Sequence, residues 1–88
     1  MVTIKVFGSD ADGEQYGLLL ECARAVAGQF DDEVAVEEHE ACGDVANELG
    51  IAGSPALAVD DVVVCVRAVP SMRHVLATVE HHLAKARG

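Results

Sequence analysis

Few side chains in this sequence can do covalent chemistry, and their spacing decides which kinds are open to it. There are three cysteines, Cys22, Cys42 and Cys65, and no two form a Cys-x-x-Cys pair. None therefore has a neighbour in sequence with which to exchange a disulfide. Cys42 is the candidate thiol, because it falls at the expected start of a helix, where partial positive charge lowers a thiol pKa. The same residue precedes Val45, Ala46 and Leu49 at the offsets of an apolar helix stripe. Free cysteine is among the most often buried residue types, so burial is the preferred expectation for Cys42. Cys65 has valine neighbours and is expected to pack. Cys22 sits on the flank of the first helix stripe. His39 and Cys42 are two metal ligands three residues apart, and zinc accepts both types. A structural site takes about four ligands, and no second Cys/His pair lies nearby, so neither a metal nor a cofactor is expected. Asp10, Asp12 and Glu14 cluster before a helix; they suit capping better than cation binding. His74, His81 and His82 are expected to face solvent. No Ser-His-Asp set, Gly-rich phosphate loop or paired-carboxylate site stands out.

The elements that position these residues follow from periodicity and turn chemistry. Val2 to Phe7 is rich in β-branched residues and reads as a strand. Asp12 followed by Gln15 has capping-box spacing and predicts a helix start. Tyr16, Leu19, Leu20, Ala23, Val26, Ala27 and Phe30 then share a face. Val34 to Glu38 is a second strand. A short helix over about Cys42 to Leu49 ends at Gly50, which suits a left-handed cap. Ala56 to Val59 and Val62 to Val66 are strands joined by Asp60-Asp61. That pair predicts a tight hairpin without its usual glycine. Ser71 is the expected N-cap of a last helix with Met72, Val75, Leu76, Val79 and Leu83 inward. The order is βαβαββα, an α/β domain with a four-stranded mixed sheet. Helices on both faces would explain why VVVCV is apolar throughout.

The length of 88 residues gives one domain, 1–88, with one core. The formal net charge is −9, and the lysines are Lys5 and Lys85 alone. Nucleic acid is not an expected partner, since its phosphates would be repelled. No apolar run approaches the roughly 20 residues of a membrane span. MVTIKVFG lacks the features of a signal peptide, which makes a cytoplasmic setting the expectation. An acidic, lysine-poor surface suits solubility, a high-salt cytoplasm or a basic protein partner.

The element order, together with LGIAGSPAL at Leu49 to Leu57, resembles the thioredoxin-like superfamily, and most closely its short glutaredoxin-like members. The resemblance spans the chain and is strongest over Val45 to Ser71. It implies a cis peptide bond between Ser54 and Pro55. It also implies that Ser54 offers its backbone to an extended protein or peptide partner. The family's redox pair falls on Ala11 and Glu14, and Ala11-Asp12-Gly13-Glu14 cannot exchange disulfides. Ala68 stands where members carry a glycine beside the substrate groove. Three functions remain open on this reading. One is a binding or scaffold module without dithiol oxidoreductase activity. The others are a monothiol redox protein working through Cys42 and a metal-handling protein using His39 and Cys42.

Overall fold

The β-branched run at the start of the chain forms the strand β1, Val2–Gly8. A computed structural model of the chain describes residues 2–9, 12–40, 43–51 and 53–87. The helix α1, Glu14–Ala27, leads through a 3-10 turn to β2, Val34–Glu40. Then come α2, Asp44–Glu48, the strands β3, Ala56–Val59, and β4, Val62–Val66, and the helix α3, Met72–Arg87. The element order is thus the expected one. The four strands lie in the order β2-β1-β3-β4. β1 pairs parallel with β2 and antiparallel with β3, and β3 pairs antiparallel with β4. A parallel β1–β2 pair requires a crossover, and α1 supplies it.

Alternation along β1 and β3 separates two cores. Val2, Ile4, Val6, Leu57 and Val59 pack with Leu19, Ala23 and Val26 of α1 and Val75, Val79 and Leu83 of α3. On the other face Phe7, Ala56 and Ala58 pack with Ala46 of α2 and with Ile51. Gly50 ends α2 at φ 72°, the left-handed conformation anticipated for it. Ser71 caps α3, its Oγ accepting from the His74 N–H at 3.2 Å. Met72, the first residue of α3, departs from its expected buried place and is 44% exposed.

β4 meets expectation in part. It is an edge strand, and its ends, Val62 and Val66, are 48% and 40% exposed. Its middle is partly covered on both faces, Val63 packing with the Phe7 core and Val64 and Cys65 with the Ile4 core, which accounts for its uniform apolarity. The pairing with β3 slips between Leu57 and Ala58, which face Cys65 and Val63, respectively. Such an irregularity bends an edge strand and discourages further pairing.

The Asp-Asp hairpin works because Asp60 does what glycine would do, and more. Its φ is 52°, a left-handed conformation that aspartate tolerates better than most residues. Its N–H donates to the Thr3 carbonyl at 2.8 Å, and its Oδ1 accepts from the Thr3 N–H at 2.9 Å. Its Oδ2 lies 3.3 Å from Nδ1 of His82. His82 is thus not solvent-facing as expected; its side chain is only 18% exposed. His74 and His81 are exposed. Asp60→Ala leaves the Thr3 N–H without an acceptor and keeps a side chain at positive φ. The expected loss is about 2 kcal/mol in urea unfolding, with Asp60→Asn retaining most of the stability. Equal stability of Asp60→Ala and the parent chain would show that the tie is idle.

Candidate functional site

Parallel pairing brings the C-terminal ends of β1 and β2 to one edge of the sheet. Because β3 runs antiparallel to β1, Phe7 pairs with Ala56, and the segment entering β3 arrives at that same edge. This is where open α/β sheets hold their ligands. The segment is Gly53-Ser54-Pro55, and the Ser54–Pro55 bond is cis, as anticipated. Pro55 is fully buried. Its carbonyl accepts from the Arg67 N–H at 2.6 Å. Arg67 has φ 62°, and a Cβ built on Gly53 would fall 2.5 Å from its Nε. Gly53 therefore lets the arginine side chain lie against the loop.

Asp12 joins this segment to the start of α1. It does not cap the helix as its spacing to Gln15 suggested. α1 begins at Glu14, with Gly13 at the cap position, φ 57°, and no side-chain cap bond. Asp12 Oδ2 instead accepts from the Ser9 N–H at 2.8 Å, while its Oδ1 accepts from Ser54 Oγ at 3.0 Å. The second bond crosses 42 residues of sequence. It was invisible to local reasoning, which weighs only nearby partners. The Ser54 hydroxyl commits its proton to a carboxylate. That fixes the hydroxyl and leaves its oxygen as an acceptor, which suits binding. No histidine bonds to it among the described residues, so nothing there activates it as a nucleophile.

Tyr16 and Arg67 are site neighbours that pattern reasoning did not single out for chemistry. The Tyr16 ring lies directly over Gly8, where any Cβ would collide with it. Its hydroxyl donates to Glu38 Oε1 at 3.1 Å, and Glu38 also meets Arg24 at 3.5 Å. Burial, then the Glu38 carboxylate, raises the Tyr16 pKa, while Arg24 opposes the rise. Tyr16 remains a neutral donor at neutral pH.

His39 is held by neighbours on β1 and β2. Its ring stacks on Phe7 at 5.3 Å, and its Nε2 lies 2.9 Å from Glu37 Oε1. Ala11 and Cys42 lie outside the described residues, as does Asp10. Among the described residues, no group of three or more potential ligands could hold a metal ion. Glu14 is exposed in the first turn of α1. Cys22 and Cys65 are free, half-buried thiols packed against the larger core. Cys65 Sγ donates to the Ala68 carbonyl at 3.3 Å. Burial raises both thiol pKa values. No protein-family model matches the chain, and no curated protein matches it in sequence. Among the described residues, no helix is long and apolar enough to cross a membrane.

The Asp12–Ser54 bond is measurable as a coupling. Asp12→Ala and Ser54→Ala should each destabilise the fold by about 1 kcal/mol. Their double-mutant cycle should return about 0.5–1.5 kcal/mol of interaction in urea unfolding. Additive effects would mean that the two side chains do not bond in solution. The raised thiol pKa values predict slow alkylation. A raised pKa means less thiolate at a given pH. Cys22 and Cys65 should therefore react with iodoacetamide at pH 8 more slowly than a solvated cysteine of pKa about 8.5. Their rates should climb only above that pH. Site-resolved mass spectrometry reads this directly, and a midpoint below the ordinary thiol value would contradict it.

Proposed function

We propose that the chain is a thioredoxin-like domain without dithiol chemistry. It binds an extended protein or peptide segment along Ser54-Pro55. One observation carries this reading: Asp12 and Ser54 are bonded to each other at the edge where the resemblance expects a redox centre and its substrate to meet. A carboxylate beside the Ser54 hydroxyl supplies no electrons for disulfide exchange. It supplies a fixed binding surface. Among the described residues, the Ser54 backbone makes no backbone hydrogen bond, so its N–H and C=O are available to a partner strand. Free Cys22 and Cys65 fit a reducing cytoplasmic setting.

The test is selection of binding peptides from a displayed random library, followed by backbone amide shift mapping. Bound peptide should shift Ser9, Gly53, Ser54 and Arg67, and Asp12→Ala should weaken it about tenfold, since one charged hydrogen bond is lost. Insulin reduction should show no turnover. Binding confined to another surface would sink the proposal. Alkylation of Cys42 in the folded protein at neutral pH, ahead of Cys22, would favour the monothiol alternative instead.

A further inference from the structure

A second concave surface lies between α3 and the exposed start of β4, and it differs in charge from the rest of the chain. The groove has a volume of about 450 Å³. Val62 and Ala77 give it apolar walls, while His74, His81, His82 and Lys85 bring basic groups. The chain has 15 aspartates and glutamates, yet among the described residues none lines this groove. The chain has only six lysines and arginines and four histidines, and four of these basic residues converge here. Helical spacing explains the convergence: His74, His81 and Lys85 recur at offsets that return to one face. Val62 is 48% exposed, so an apolar group seated on it gains by leaving water.

We propose that this groove binds a small amphiphilic anion, a carboxylate or phosphate carrying a short apolar body. The volume fits an ordinary small-molecule site. His82 is already oriented, since its Nδ1 faces Asp60 Oδ2 at 3.3 Å. With the Asp60 carboxylate as acceptor, Nδ1 is the donor of this pair. The His81 ring meets His82 edge-on at 6.1 Å. Charging both rings sets like charges side by side, and a bound anion relieves that repulsion.

The pH dependence follows in sign. The groups facing the groove are His74, His81, His82 and Lys85 on α3. Asp60 faces His82 from the β3–β4 turn, and Asp61 lies beside Val62 on that turn. Histidine is the side-chain type that ordinarily changes charge between about pH 5 and pH 8, and three histidines line this groove. Anion affinity should therefore rise toward acid. A chain of net charge −9 otherwise repels anions, so adventitious surface binding has no reason to produce this pattern.

The probes are octanoate, octyl phosphate, inorganic phosphate and octanol, titrated into the folded protein and followed by amide and histidine ring shifts. Octanoate and octyl phosphate should both saturate shifts at Val62, Ala77 and His81, with dissociation constants on the order of 1 mM or tighter at about pH 6. Binding should weaken about tenfold by pH 8. Lys85→Glu, at an exposed position, should cost a further tenfold with unchanged circular dichroism, whereas Leu18→Ser on α1 should cost nothing. Relative strength of the two ligands tells whether carboxylate or phosphate is preferred. Octanol binding as tightly as octanoate would overturn the role of charge. Inorganic phosphate binding as tightly as octyl phosphate would overturn the role of the apolar walls. Shifts elsewhere, or affinity indifferent to both pH and Lys85→Glu, would overturn the site itself.

Discussion

Covering both faces of β1 and β3 with three short helices is the constraint that shapes this domain. The chain has few large side chains with which to meet it: aromatics are 3% of residues, and there is no tryptophan. One face is closed by the two longer helices, whose Leu, Val and Ala stripes meet the valines and isoleucine of β1. The other is closed mainly by α2, which has only five residues. So short a helix can seal a sheet only by approaching closely. Ala46 on the helix and Ala56 and Ala58 on β3 keep the intervening space small. Phe7 is the one large side chain fully buried in that cluster. It also stacks on His39, which ties the end of β1 to the end of β2 beside the candidate site.

Two aspartates hold the loops that this sandwich leaves over, and they do so at opposite ends of the sheet. Asp60 joins the β3–β4 turn to the start of β1, 57 residues away. Asp12 joins the end of β1 to the approach to β3, 42 residues away. Each accepts a backbone N–H with one oxygen and meets a distant side chain with the other. Such carboxylates satisfy donors that loops would otherwise leave bare, and they convert local turns into long-range ties. The edge that carries Ser54 is consequently part of the framework. Ser54 is held by the same kind of contact that holds the hairpin.

Local signals in the sequence identified the elements well. β-branched runs, Gly50 and the Ser71 cap each act within a turn or a strand, and each was readable. What escaped was set by distance along the chain. Asp12 has the spacing of a helix cap, and its true partner, Ser54, is supplied only by folding. His82 falls on the flank of a helix stripe, and its burial depends on where the hairpin carries Asp60. VVVCV is partly covered on both sides, yet its exposed ends at the sheet's edge were not readable, because apolarity alone does not distinguish a central strand from an edge. The order of strands decides that, and no window of residues contains it. Ala11 and Cys42 lie outside the described residues, so the expectations placed on them rest on sequence alone.

The two surfaces differ in the charge they present, and this limits what each accepts. The edge around Ser54 carries Asp12, Glu14, Glu40 and Asp44 near the ends of β1 and β2 and the starts of α1 and α2. Arg67 is the cation that lies against it. A partner chain arriving there meets a negative field, which favours neutral or basic segments and slows acidic ones. The α3 groove begins from the other end of the sheet, where His82 meets Asp60, and among the described residues no carboxylate lines it. A small anion excluded from the first surface is admitted at the second. Because three histidines line the groove, acidification is expected to strengthen it for anions. The charge pattern therefore separates two ligand classes within one small domain.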